Sequence, residues 1–530
     1  MDEAALALSA LSPFELQDEL GRYAAKADVA EVLDAGKGQP NWLATTPRHA
    51  FHLLGQFALS EAEHGERSPD AGWYPEIDGI AERLKDYVDK QDDAPGAALL
   101  GAVADHGVTA LGFDAEAWVA ELVVGILGDR YPQPHRMLTH VEQLVHEYLL
   151  VTHGVPPSSP GGFRLFATEG AAAAMSYCFQ SLRRNGLLGP GDKIAVATPV
   201  FSPYLQIPSM AEFGFEIVHV EADQAAGWQY PMGELSKLLD PGVKAFFLVN
   251  PGNPDTRSLG ADELRTIREI VAQRPDLIIL ADTAYATFVD GFHSLIAELP
   301  QQTVCVHSFS KHFGATGERL AFIAMHEDHV IDRLLREQPP GERGFRAERY
   351  RTVTDDLDSF AFVDRVVADS REVALYHIAG LATPQQVKMA LFAGFALLDS
   401  GREYLAMTRQ VLERRLHGLL EPLELDMPTG ADSHYYTLLD VVELARRRHG
   451  EDFARWLLVS QHPLAFPIHL AERYGVVALP GRGFEATSWS VRISLANLAD
   501  DAYPRIADAI HATIDDLHTI YVESAGHEGT

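Results

Sequence analysis

Residues 304–324, VCVHSFSKHFGATGERLAFIA, constrain this chain more than any other stretch. An apolar run leads into Ser308-Phe309-Ser310-Lys311. A small-residue loop, Gly314-Ala315-Thr316-Gly317, then runs through Glu318-Arg319 into a second apolar run. The pattern reads as strand, turn, strand, with a lysine between two segments that favour burial. Burial disfavours the charged form of an amine. A lysine so placed is chemically sensible when it is condensed with a carbonyl as a Schiff base. Ser308 and Arg319 flank it with a hydroxyl and a cation that suit a phosphate ester. Ser-x-Ser-Lys alone describes an ordinary turn with a surface lysine just as well, so the rest of the chain decides.

From about residue 163 short β-rich runs alternate with helical patterns. Strands are expected near 164–167, 193–197, 216–220, 245–249 and 277–280, with a helix over 170–182. Such alternation predicts a doubly wound α/β domain with a mainly parallel sheet, in which ligands bind beyond the carboxyl ends of the strands. Residues at those ends suit one anionic aromatic ligand. Gly170-Ala171-Ala172 opens a helix, where backbone N–H groups form an anion site. Phe201 follows a strand and can stack on a ring, and Asn253 lies in the turn Asn250-Pro251-Gly252-Asn253-Pro254. Asp282-Thr283-Ala284-Tyr285 follows Leu277-Ile278-Ile279-Leu280, so its carboxylate is expected to be buried and to need a cationic partner. Arg492 alternates with apolar residues in Trp489-Ser490-Val491-Arg492-Ile493-Ser494, and its fork suits a carboxylate. Each feature alone has an equally plain structural reading, but their order along the chain points to one site.

The flanking segments are different. Residues 12–28 read as an amphipathic helix opened by Ser-Pro and Glu, and 33–42 as a non-helical segment with glycines at 36 and 38. Several helices follow over 45–125, joined by loops at 64–72 and 91–96, and another helix ends near Leu150. After about 385 a helical stretch to 419 precedes an α+β region, with strands expected at 434–439, 475–478 and 490–495 and a helix near 452–458.

The formal charge of −32 over 530 residues argues against nucleic acid or an anionic membrane as partner. The two cysteines, Cys178 and Cys305, lie in apolar contexts, so no disulfide framework is expected. No apolar run reaches membrane-spanning length, and the acidic N-terminus lacks a basic leader region; the chain reads as a cytoplasmic protein. The 23 histidines are scattered, and no metal site is expected. His307 and His312 flank Lys311 and read as structural histidines, with His312 a possible acid or base if it faces the substrate.

The ordered set of phosphate turn, stacking aromatic, Asn turn, Asp-x-x-Tyr, Ser-x-x-Lys, Arg and a C-terminal strand arginine resembles the fold-type I aminotransferase superfamily over residues 131–500. Within it, SKHFGATGERL, YPQPHRMLTHVEQLVHEYL, ATPVFSPYLQIP, ADSREVALYHIAGLATPQQVKMALFA, LPGRGFEATSWSVRISLANL and AGKGQPNW are similar to the bacterial aspartate 4-decarboxylases (aspartate β-decarboxylases). The resemblance implies a fold-type I enzyme with pyridoxal 5′-phosphate as cofactor. Its large domain would be 131–385, with a small domain from 1–60 and 386–530 and a helical insertion at 61–130. Lys311 would be the Schiff-base lysine and proton shuttle, and Asp282 would hold the pyridine nitrogen protonated. Asn253 and Tyr285 would bond the phenolate oxygen and Phe201 would stack on the ring. Ser308, Arg319 and Gly170, Ala171 and Ala172 would hold the phosphate, with Tyr131 reaching in from a neighbouring subunit of a homo-oligomer, at least a dimer. Arg492 would bind the substrate α-carboxylate, near Gly38 and Lys37.

Departures from the family pattern gather near the substrate. The family carries lysine where Gln17 stands, arginine at Lys37, tyrosine at His312, tryptophan at Glu318 and glycine at Arg482. Fewer cations, and Glu318 if it points inward, would disfavour a second substrate carboxylate. The implied activity is therefore a lyase acting on a small L-amino acid at Cβ or Cγ, by β-decarboxylation or by elimination. One conceivable elimination converts a halogenated vinyl amino acid to an alkyne. Transamination of the aspartate aminotransferase type is the alternative, and a non-enzymatic relative is disfavoured by the intact Lys311, Asp282 and Arg492.

Overall fold

The computed structural model describes residue 8 and residues 11–63, 71–91, 93–210 and 213–528. Most of the loop expected at 64–72, and residue 92 of the one at 91–96, fall outside these. Among the described residues the strands are β1 (Leu33–Asp34), β2 (Phe163–Thr168), β3 (Lys193–Thr198), β4 (Glu216–Glu221), β5 (Val243–Val249), β6 (Ile278–Asp282), β7 (Thr303–Ser308), β8 (Ala321–His326), β9 (Tyr436–Asp440), β10 (Val476–Val477), β11 (Leu479–Pro480) and β12 (Ser490–Ser494).

A seven-stranded sheet of order β2-β8-β7-β6-β5-β3-β4 organises the large domain. β8 runs antiparallel to both β2 and β7, and the remaining pairings are parallel. β6, β7 and β8 are buried along their whole length. Their continuous apolar sequences, without polar alternation, are what a sheet covered on both faces requires. One face carries Ala171–Arg184, whose Met175, Cys178, Phe179 and Leu182 join the core. The other face rests on Thr139–His153 and Thr383–Leu397. Thr198, Val249, Asp282 and Ser308 end parallel or adjoining strands at a common edge.

Thr45–Ala62, Ala97–Thr109 and Ala115–Leu127 share one apolar cluster with Phe163, Leu165 and Phe322 of the sheet. Thr45–Ala62 thus packs with the helical insertion, although its residues to 60 are expected in the small domain. The segment before it packs on C-terminal elements instead. β1 pairs in parallel with β10, and Leu16, Leu20 and Ala24 of Pro13–Ala24 pack on Leu464, Ile468 and Ala471. That helix opens with a Ser12/Glu15 capping box. The rest of the small domain is an antiparallel β11-β12-β9 sheet with helices, reached through Asp399–Leu420. The two cysteines are free and buried. No described helix is long and apolar enough to cross a membrane.

Candidate active site

The common strand edge faces a cavity of about 340 Å³ closed by the N-terminal segment and β12. Lys311 follows β7 on the turn 308–314, and its Nζ donates to the Gly38 carbonyl at 2.7 Å. The turn is held from the N-terminal side, where Trp42 Nε1 donates to the carbonyls of Lys311 and His312, both at 3.1 Å. Gly314, at φ +58°, passes so close to Trp42 that a Cβ would lie 1.9 Å from its carbonyl oxygen. This contact accounts for the glycine at position 314.

Asp282 ends β6 and is buried. Its Oδ2 accepts from the Tyr204 hydroxyl at 2.5 Å and its Oδ1 from the Ala284 N–H at 2.9 Å. Burial raises its carboxyl above the ordinary value, against these hydrogen bonds and the charge of Lys311. A buried carboxylate of this kind favours a cationic N–H partner.

On the opposite wall Arg492 is buried in β12. Its guanidinium lies 4.3 Å from the Tyr436 ring and 4.6 Å from the Phe484 ring. It donates to Asn253 Oδ1 at 3.2 Å and to the Gly36 carbonyl at 2.7 Å, while its Nε is buried with no hydrogen-bond partner. The Asn253 amide is thereby oriented, and its Nδ2 donates to the Tyr285 hydroxyl at 3.2 Å. Tyr285 also meets the Tyr436 hydroxyl at 3.1 Å. Burial, then the neighbouring Tyr436 and Tyr435, hold the Tyr285 phenol well above its ordinary value, so it stays a neutral hydroxyl.

The third wall is the start of Ala171–Arg184. Gly170 has φ +105°, and a Cβ there would lie 2.0 Å from the Arg319 guanidinium. Arg319 itself adopts φ 56°, with its Nη1 on the Thr316 carbonyl and its Nη2 on the Glu169 carbonyl. Ser308, Ala171, Ala172 and Phe201 line the same cavity.

These residues fit pyridoxal 5′-phosphate by their chemistry. The cavity offers a lysine amine, a buried carboxylate opposite an aromatic edge, two donors at Asn253 and Tyr285, and a helix N-terminus with a cation and a hydroxyl. The Gly170 gap beside Arg319 is space that any side chain would fill. Lys311, Asp282, Tyr285, Asn253, Ser308, Arg319, Ala171, Ala172, Phe201, Arg492 and Gly38 are brought together here, with Gly170 at the margin.

Others are not. Lys37 lies outside the cavity lining, with its ammonium 3.1 Å from Asp34 and its side chain 50% exposed. Tyr131 is 62% exposed and away from the cavity of its own chain. Glu318 does not point inward: it pairs with Lys388 at 3.0 Å and meets Gln385. His312 is buried against Phe288, Phe313 and Tyr404, and burial holds its imidazole down at about 3. His307 is likewise internal, touching Tyr148 and Thr283. Arg482 is exposed outside the lining, whereas Gln17 is part of it. Among the described residues no cluster of His, Cys, Asp or Glu could hold a metal.

Sequence reasoning assigned no role to Tyr204, Tyr436 or Phe484, all of which line the cavity. Tyr436 could have been found from Arg492. β9 and β12 pair with Tyr436 opposite Ser494 and Leu438 opposite Arg492, which puts Tyr436 and Arg492 on one face as diagonal neighbours.

The sequence model for aminotransferase class I and II matches residues 161–510. A Pseudomonas sp. protein named bifunctional aspartate aminotransferase and L-aspartate beta-decarboxylase is 44% identical over 521 residues, covering 97% of this chain and 98% of that protein. The putative aminotransferase YugH of Bacillus subtilis (strain 168) is 32% identical over 165 residues, 30% of this chain and 40% of its own. Among solved structures, an aspartate aminotransferase from Thermus thermophilus superposes with TM-score 0.59 at 18% identity, over 96% of both chains. An aromatic aminotransferase from Pyrococcus horikoshii OT3 gives 0.57 at 17% identity, over 94% of this chain and 99% of that one. These structures share the fold, the fold-type I arrangement expected from the order of the motifs.

Proposed function

The chain belongs to the aminotransferase class I and II family, a pyridoxal phosphate family, and we propose that it is a lyase acting on a small L-amino acid at Cβ or Cγ, one whose side chain carries no full negative charge. The observation that carries this reading is the composition of the cavity wall. Its lining cations are Lys311, Arg319 and Arg492, and around Arg492 the remaining lining residues Pro13, Gln17, Leu479 and Phe484 are neutral. Arg319 faces the phosphate side and Lys311 the reacting carbons, so Arg492 alone is left for a substrate carboxylate.

Pyridoxal phosphate, when bound, supplies the aldehyde that an amine captures and the electron-poor ring that acidifies the neighbouring carbons. Each residue then has a defined task. Lys311 would exchange the substrate for itself and move protons at Cα. Asp282, fixed by Tyr204 and Ala284, would keep a proton on the ring nitrogen. Arg492 would bind the α-carboxylate through its fork, and the short wall at Gln17 and Phe484 would limit the side chain to a few atoms. Ser308, Arg319 and the first amides of Ala171–Arg184 would hold the phosphate, with Tyr131 contributed by a second copy in a homodimer.

A second reading is supported by the Pseudomonas relative, whose name joins aspartate transamination to β-decarboxylation. Proton NMR of the cofactor-loaded protein in deuterated water separates the two. The substrates would be L-aspartate, cysteine sulfinate, and γ-substituted or halogenated vinyl L-amino acids. The proposal expects no turnover of aspartate, deuterium at Cα and Cβ of a γ-substituted substrate, and release of the γ-group with one proton. Quantitative conversion of aspartate to alanine would overturn it and establish the second reading.

A further inference from the structure

Tyr436 is the cavity residue without an assigned task. It is buried at the start of β9, under the Arg492 guanidinium at 4.3 Å. Its hydroxyl points to the centre of the site: a Cβ built on Gly38 would lie 2.4 Å from it and 3.4 Å from Lys311 Nζ. Its hydroxyl partner is Tyr285, at 3.1 Å.

The Tyr285 oxygen has one proton and two lone pairs. Arg492 turns the Asn253 amide so that its NH₂ occupies one lone pair. If Tyr436 accepted the Tyr285 proton, only one lone pair would remain, which repels an anionic ligand oxygen. If Tyr436 donates instead, both lone pairs are filled and the single Tyr285 proton is free to face the ligand. Two donors on one oxygen also polarise its O–H bond and strengthen it as a donor.

We propose that Tyr436 is a positioning residue: its hydroxyl donates to Tyr285 and aims the Tyr285 proton at the phenolate oxygen of the bound cofactor. The inference rests on the cofactor placement given above and assigns the tyrosine that sets the cofactor's charge state. By strengthening a hydrogen bond to an anionic oxygen, Tyr436 favours the deprotonated form of the lysine-linked cofactor. Tyr435, Arg492, Lys311 and Asp282 are the other titratable or charged groups around Tyr285 and are common to every variant below.

The test is a spectroscopic pH titration of the substrate-free holoenzyme, following the visible absorption of the lysine-linked cofactor. Tyr436→Phe is expected to raise the titration midpoint by about half a pH unit, roughly a threefold change in proton affinity, the cooperative share of one hydrogen bond to a charged group. Tyr285→Phe should raise it further. The double variant should match Tyr285→Phe alone, because Tyr436 acts through Tyr285. Tyr436→His, which keeps a donor, should stay near the parent value and guards against a packing effect of the Phe variant. An unchanged midpoint in Tyr436→Phe, or a double variant that shifts additively, would overturn the proposal. Lys311→Ala tests the underlying reading separately: a titrating visible band that survives in it would remove the cofactor placement itself.

Discussion

Asp255→Asn is predicted to abolish a loss of stability that the parent protein suffers between pH 6.5 and 8. Asp255 follows the Asn253-Pro254 turn and is buried where the large-domain loop meets the small domain. There the backbones of Arg257 and Asp432 form an antiparallel β-bridge, and the Ser258 and Ser433 N–H groups reach the Ala431 and Thr256 carbonyls. Its Oδ1 has no hydrogen-bond partner. Burial, and then Asp432 and Glu263 outweighing Arg257, push its carboxyl up to about 8. The folded protein therefore keeps a proton that the unfolded chain, titrating near its ordinary 3.8, has already lost. Between those values the native state binds more protons, so stability falls as pH rises, by about 1.4 kcal/mol per pH unit. Buried His153, His312 and His329 have the opposite sign. Burial holds them at about 4, 3 and 3, so they lower stability only as pH falls below their ordinary 6.5. Above pH 6.5 the Asp255 slope stands clear of them, and over 1.5 pH units it amounts to about 2 kcal/mol. With an unfolding entropy near 2.1 cal/mol/K per residue, that is about 2 °C in Tm for a chain this long. Asn resembles the protonated acid, so the variant should match the parent at pH 6.5 and exceed it by this amount at pH 8. Asp432, also raised, is present in both proteins, so the difference reports Asp255 together with its coupling to Asp432. Differential scanning calorimetry at saturating cofactor measures it. Parallel Tm loss in the two proteins would refute the reasoning, as would a variant already several degrees less stable at pH 6.5.

Three further outcomes are expected. Arg492→Lys loses the fork that reaches Asn253 and Gly36 and the stack between Tyr436 and Phe484; kcat/KM should fall roughly 100-fold, mainly through KM, with cofactor absorbance retained. Gly314→Ala places a Cβ 1.9 Å from the Trp42 carbonyl at φ +58° and should destabilise by about 3 kcal/mol or more, whereas Gly317→Ala, with nothing within 4 Å, should stay within about 0.5 kcal/mol in the same unfolding assay. Tyr204→Phe leaves Asp282 with the Ala284 N–H as its remaining hydrogen bond; kcat should fall about tenfold at unchanged KM, and an unchanged kcat would separate Tyr204 from the chemistry.

The residues proposed to hold the cofactor were legible because they sit at or shortly after strand ends, where apolar runs mark the strand and the residues that follow face the cavity. Asp282 after Leu277-Ile278-Ile279-Leu280 and Lys311 after Val304-Cys305-Val306 are both found by that rule, and the strands fall within a few residues of expectation. The substrate side follows a different rule. Gln17 and Gly38 come from a segment some 270 residues before Lys311, brought in by the β1–β10 pairing and the Lys311 bond to Gly38. No local pattern encodes that approach. Lys37 shows the consequence: in sequence it neighbours Gly38, but the chain turns it back to Asp34, so a cation expected in the cavity is outside it. Glu318 shows the same for charge, since its partner Lys388 lies on Thr383–Leu397, a helix whose position no motif reveals. The two displacements are opposite in sign, since one takes a cation and the other an anion away from the cavity. Together they leave the neutral Gln17, Leu479 and Phe484 in the cavity lining beside Arg492. The substrate preference proposed above would thus rest on tertiary pairings of neutral residues, which is why motifs point to the cofactor and not to the molecule it acts on.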